Sequence, residues 1–260
     1  MSRGGASVLG MADVFDENFD APVLDPGRWV DHYLPHWTTP DRSAARYRLG
    51  DEGLELRIDA DQPAWVPDDG TRASNLQTGT WSGPFGSPRG QHRYRTGLAV
   101  VTPQPSRRLF TPAGGRFEAT LRARADPTTM LAFWLVGFEE DGDEQSGELC
   151  VVELFGDAIG AKTSTLSVGV KAHHDPRLHD DMVRVPVPID ATDWHTYAVD
   201  WRPHDIRFFV DDQLIHESAQ SIGYPMQLML DLFEVAPPVV RDPAGYPKVG
   251  DVRSVRGYPS

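Results

Sequence analysis

Ser146-Gly147-Glu148-Leu149-Cys150-Val151-Val152-Glu153-Leu154-Phe155-Gly156 sets two glutamates inside a run that otherwise reads as a buried strand. Charges are rarely buried without a partner or a task. Side chains alternate along a strand, so Glu148 and Cys150 share a face while Glu153, at an odd offset, points to the other. One extra residue, a β-bulge at Val151 or Val152, returns Glu153 to the face of Glu148. Bulges gather beside active sites because they re-aim a side chain.

Working outward, short apolar runs recur at about ten-residue spacing, separated by turn residues, as in a sandwich or barrel. Residues 53–58 (GLELRI) and 115–125 (GRFEATLRARA) alternate apolar and charged side chains, which predicts half-buried strands. Residues 130–138 and 149–155 are apolar enough to be covered on both sides. Further strands are expected at 165–172, 196–201, 206–210, 226–233 and 248–258, with a hairpin from Asp211-Asp212 to Leu214-Ile215. The stretch 75–95, rich in Gly, Pro, Ser and aromatic residues, reads as a long surface loop, a common carrier of ligand contacts. No repeat occurs at a fixed period, and convincing helical periodicity is absent. The expected architecture is all-β, with residues 1–12 as a disordered tail and 13–260 as one catalytic β-sandwich domain.

Composition narrows the partners. Acidic residues outnumber basic ones, 38 to 25, for a formal net charge of −13. Nucleic acid and anionic membranes both require a basic face, so neither is expected as a partner. Neutral sugars carry no such requirement. Glycine (24) and proline (22) supply many turns. Lysine occurs only at 162, 171 and 248, so arginine carries nearly all the positive charge. The single cysteine, Cys150, excludes an intrachain disulfide. No stretch approaches the ~20 apolar residues of a membrane span. The start lacks a secretory signal, so the chain as written is expected to be cytoplasmic, or extracellular if a leader has been removed.

Two carboxyls on one face can cut a glycosidic bond. In the retaining mechanism they stand ~5–5.5 Å apart; one attacks the anomeric carbon and the other protonates the leaving oxygen. Glu148-x-Cys150-x-x-Glu153 resembles the Glu-x-Asp-x-x-Glu signature of glycoside hydrolase family 16, the laminarinase and β-glucanase clan. Gly115-Arg116-Phe117-Glu118, Ala132-Phe133-Trp134-Leu135 and Tyr224-Pro225-Met226-Gln227-Leu228-Met229-Leu230 are similar to other family strands in order and spacing. So are Trp194-His195-Thr196-Tyr197-Ala198-Val199-Asp200-Trp201 and Ile206-Arg207-Phe208-Phe209-Val210-Asp211.

The resemblance implies a β-sandwich jelly roll of two antiparallel sheets, concanavalin A-like. It also implies an endo-acting retaining hydrolase of β-1,3- or mixed-linkage β-glucan, with Glu148 as nucleophile and Glu153 as acid/base. Cys150 stands where the family has aspartate, and a neutral thiol is the weaker hydrogen-bond donor. The competing expectation is therefore a lectin-like carbohydrate-binding protein on the same fold, with hydrolysis reduced or lost.

Other residues divide between ligand and core. Trp134 either lines a sugar cleft or packs inside. Trp65, Trp81 and Tyr94 lie in or near the expected loop; Asn75, Gln77, Gln227 and Asp231 are candidate hydrogen-bond partners for sugar. His173, His174, Asp175, His179, Asp180 and Asp181 lack regular metal-site spacing, so zinc is not expected. The resemblance places His173 at the cleft against sugar, gives His195 a structural role, and makes Asp251 a ligand of a structural calcium. No other cofactor is required. The partner is a polysaccharide or oligosaccharide, and the protein is expected to act as a monomer.

Overall fold

The structure, a computed structural model, describes residues 14–68, 70–235 and 242–260, so the expected tail at 1–12 lies outside the described residues. In chain order the first strands are β1 (Phe15–Glu17), β2 (Arg46–Gly50), β3 (Gly53–Ile58), β4 (Arg72–Gln77), β5 (Gly79–Thr80) and β6 (Arg107–Arg108). They are followed by β7 (Gly115–Arg122), β8 (Thr129–Gly137), β9 (Glu148–Phe155), β10 (Ser164–Lys171) and β11 (Asp181–Val187). The last are β12 (His195–Trp201), β13 (Ile206–Val210), β14 (Gln213–Ser218), β15 (Met226–Glu234) and β16 (Lys248–Pro259).

Two antiparallel sheets form the sandwich. One runs β14-β13-β12-β7-β16-β3-β2, with β1 also paired to β16; the other runs β11-β10-β9-β8-β15-β4. Period-2 patterning decides which side chains meet between them. Leu54, Leu56 and Ile58 of β3 and Phe117, Ala119 and Leu121 of β7 face inward against Leu131, Phe133 and Leu135 of β8. The alternate residues face water and pair there, as Arg116 does with Asp200 at 3.1 Å. Phe117, Phe133, Tyr197, Trp201 and Phe208 are all fully buried, each such side chain contributing about 1.5–3 kcal/mol.

Polar residues sit in strand where a surface loop was expected at 75–95. Asn75 and Gln77 belong to β4 and are fully buried, because residues 30–34 cross over them. Gln77 accepts from the Leu34 amide at 3.1 Å, and Asn75 donates to the His32 carbonyl at 3.2 Å. β11 was also not foreseen. It carries Pro186 and lies at the sheet edge, where a missing backbone donor is tolerated.

The outer face of the six-stranded sheet is only partly covered. Tyr33, Leu34, Trp37, Trp65, Leu98 and Val100 pack over Ala73, Ala132, Trp134, Val136 and Met229 in a second apolar cluster. The outer faces of β9 and β10, beside that cluster, line a cleft.

Gly169 fixes the geometry of β10 opposite the site. Its φ is +139°, and a Cβ there would meet the Asp181 carbonyl oxygen at 2.0 Å. Backbone strain of this kind is worth about 1–3 kcal/mol, and ~2–4 °C of Tm accompanies each kcal/mol at this size. Gly169→Ala is therefore expected to lower Tm by several degrees in a thermal melt; an unchanged melt would show that β10 does not hold this shape.

Candidate active site

The bulge falls at Val151. Phe133 of β8 pairs with Val152, and the next residue, Trp134, pairs with Cys150, which leaves Val151 without a partner on that side. Val151 and Val152 both turn into the core, and Glu148, Cys150 and Glu153 all emerge on the outer face. Across on β10, Lys171 stands opposite Glu148 and Ser167 opposite Glu153.

Lys171 was not singled out in the sequence, and it organises the site. Its Nζ lies 3.0 Å from Glu148 Oε1 and 2.8 Å from Glu153 Oε1. The signal for it was present: Leu166, Val168 and Val170 point inward, which assigns Lys171 to the face of the glutamates. The Cys150 thiol donates to Glu148 Oε1 at 2.8 Å, and His173 Nε2 lies 2.6 Å from Glu148 Oε2. Donor atoms of Glu148, Cys150 and Glu153 all fall within 4.8 Å of one another. The cleft above them has a volume of about 150 Å³ and is also lined by Tyr33, His92, Met130, Ala132, Trp134 and Phe233.

His92 was likewise not foreseen, since a loop far away in sequence delivers it. His36 Nε2 and Trp37 Nε1 hold the Gln91 carbonyl at 2.8 and 3.0 Å, and the His92 amide donates to the buried Glu139 carboxyl. The His92 ring then stands edge-on to those of Trp134 and His173, at 5.4 and 4.9 Å.

These contacts set the charges. Burial by itself raises the Glu148 carboxyl, but the His173 hydrogen bond and the Lys171 charge reverse this and hold it well below the usual carboxylate range. Burial, and next the Glu148 charge, push the Cys150 thiol well above its ordinary value, so it stays protonated and donates. Burial lowers His92 to about 4, leaving it neutral near pH 7. Burial raises Glu139 to about 8.

The remaining sequence candidates separate. Trp134 does line the cleft, and its Nε1 donates to Asp231 Oδ2 at 2.6 Å. Asp231 is thereby a buried support for the Trp134 ring; burial raises its carboxyl well above the ordinary value. His173 stands against Glu148, its hydrogen-bond partner. Asn75, Gln77, Trp81 and Gln227 are not brought to the carboxylates. The first two hold the crossing segment described above. Trp81 is buried and donates to the Phe138 carbonyl; Gln227 is fully buried with its amide against Met229 Sδ. His195, at the start of β12, contacts Asp211 at 2.6 Å.

Known proteins were compared with this fold and site. The family described as Glycosyl hydrolases family 16 matches residues 109–233, a span that contains the bulged strand. The match covers just under half of the chain. The chain is 29% identical over 106 residues to a β-glucanase of Rhodothermus marinus, covering 39% of the chain and 36% of that protein. It is 30% identical over 121 residues to a glucan endo-1,3-β-glucosidase of Cryptopygus antarcticus, covering 44% of each. The chain thus spans less than half the length of these curated relatives. In fold it is similar to a GlcNAcα1-4Gal-releasing endo-β-galactosidase of Clostridium perfringens, with TM-score 0.79 and 24% identity over 97% of this chain and 64% of that one. The Rhodothermus marinus laminarinase follows the same fold at TM-score 0.62 and 19% identity, over 94% and 96% of the two chains.

Metal-type donors gather in two groups among the described residues, His92–Glu148–His173 and Glu148–Cys150–Glu153. In the second the Lys171 ammonium already bridges the two glutamates. The calcium expected at Asp251 does not fit its surroundings. Asp251 Oδ2 lies 2.9 Å from Arg122 Nε and 2.6 Å from Arg124 Nη2, and calcium seeks ~6–8 oxygen ligands. Two guanidiniums supply the positive charge there instead. Excess calcium and EDTA are both expected to leave Tm unchanged; a clear upward shift with calcium would restore the cation to this position. The Cys150 thiol is expected to resist iodoacetamide at mildly alkaline pH and to react once the chain is unfolded. Rapid alkylation of the native protein, read by intact mass, would contradict its burial.

Proposed function

We propose that this chain is a retaining, endo-acting glycosidase of a β-linked polysaccharide, with Glu148 as nucleophile and Glu153 as acid/base. The observation that carries the reading is the shared face of the two carboxyls, whose nearest oxygens lie within 4.8 Å. Retaining enzymes hold the pair ~5–5.5 Å apart, whereas inverting ones leave ~6.5–9.5 Å for a water. Glu148 is suited to attack because it is ionised and buried at the cleft floor. Glu153 is the more open of the two, 12% exposed against 5% for its partner, and can reach a leaving oxygen. Cys150 and His173 hold Glu148 by one oxygen each, and the Trp134 and Phe233 side chains offer apolar surface to a sugar ring.

The names of the two curated relatives favour β-1,3- or mixed-linkage β-glucan as substrate. The higher structural similarity to an endo-β-galactosidase adds β-galactan to the panel. A second reading, carbohydrate binding with hydrolysis lost, draws on Cys150 in place of the family aspartate.

A reducing-sugar assay on laminarin, lichenan and a β-linked galactan tests these readings, with NMR of the first-formed anomer. Turnover is expected with retention of the β configuration. Glu153→Ala should reduce it by about 10²–10⁴-fold, the usual share of general acid–base catalysis, and Glu148→Ala should abolish it. Initial release of the α-anomer, or full activity in Glu148→Ala, would refute the assignment. Saturable binding without turnover would favour the lectin-like reading.

A further inference from the structure

One ammonium touches both carboxylates without moving, since Lys171 Nζ is 3.0 Å from Glu148 Oε1 and 2.8 Å from Glu153 Oε1. Double displacement carries one negative charge on this pair at each stage, but on different members. In the first step a Glu148 oxygen bonds to the anomeric carbon, the bond to the leaving oxygen breaks, and that oxygen takes the Glu153 proton. In the second, a water oxygen bonds to the anomeric carbon and gives its proton to Glu153. The ester bond to Glu148 breaks as the water oxygen bonds, and its carboxylate returns. The charge thus moves from Glu148 to Glu153 and back.

Resting on the function proposed above, we infer that Lys171 is a positioning residue whose fixed charge compensates whichever carboxylate is ionised, Glu148 before attack and Glu153 in the glycosyl-enzyme intermediate. The neighbouring groups leave this task to Lys171. Cys150, from the same strand as the glutamates, stays a neutral thiol, and His92, from the loop after β5, is neutral near pH 7. Asp231, from β15, is engaged with Trp134. Arg184, from β11, shares the face but lies beyond Ser167 and over the Phe155 ring. His173 touches Glu148 alone. Burial alone would weaken the Lys171 ammonium, but Glu148 and Glu153 raise its pKa, so it remains charged.

An opposite charge this close lowers a carboxyl pKa by about 1–3 units. The acidic limb of the kcat/KM profile reports ionisation of Glu148, whose carboxyl Lys171 helps to hold low. That limb is therefore expected to move upward by about one unit or more in Lys171→Met, with Lys171→Arg returning it toward wild type. A Lys171→Met profile that superimposes on wild type would overturn the inference. The same shift can be read without turnover, by carbon-detected NMR titration of the Glu148 carboxyl in the free protein; an unmoved carboxyl would overturn it equally. Lys171→Gln serves where the methionine variant does not fold. Glu148→Ala, run alongside, separates the two ideas: its full activity would refute the underlying assignment, whatever Lys171 does.

Discussion

The unpaired Val151 is the constraint on which the site depends. Without it, Glu153 would turn into the core between the sheets, where Val151 and Val152 now sit. A carboxylate there would face Leu131, Phe133 and Leu166 with no hydrogen-bond partner, a burial worth several kcal/mol in the wrong direction. The bulge thus solves two problems together. It keeps the interior apolar, and it sets two acids side by side on the outer face. Gly169 belongs to the same solution, because β10 must follow the kinked strand while pressing against the Asp181 carbonyl.

Setting the acids together creates an electrostatic problem that the fold answers locally. Two adjacent carboxylates resist sharing ionisation. The Lys171 ammonium contacts both of them, and it comes from the strand that the bulge re-registers. The opposite sheet uses the same device away from the cleft, where Arg122 and Arg124 converge on Asp251. In both places a side-chain cation does what a bound metal would do, and the predominance of acidic residues makes such internal pairing useful.

Much of this was legible in the sequence where local patterning decides the outcome. The alternation in 53–58 and 115–125 located inward faces, and the odd offset of Glu153 located the bulge to within one residue. The readings that failed depend on what lies above a strand. Asn75, Gln77 and Gln227 look like surface polar residues, yet a crossing segment seals over the first two and the third is buried between strands. His92 reaches the cleft from a loop whose path is set by His36, Trp37 and Glu139, contacts with no local sequence signature. Lys171 is different: the period-2 pattern of β10 already assigned it to the glutamates' face, and scarcity of lysine drew attention to charge balance rather than to place.

Cys150 and Lys171 are best understood as one arrangement. At the position of Cys150, a third carboxyl would have to hold a proton or add a further negative charge to a site containing one ammonium. The thiol avoids that choice: it is neutral across the working pH range, fits without exposure, and still directs a hydrogen bond to Glu148 Oε1. Its weakness as a donor matters less because Lys171 reaches the same oxygen at 3.0 Å. Seen alone, the cysteine resembles a lost catalytic group. With the lysine beside it, the pair holds Glu148 Oε1 by a hydrogen bond and an ion pair and keeps that carboxylate ionised.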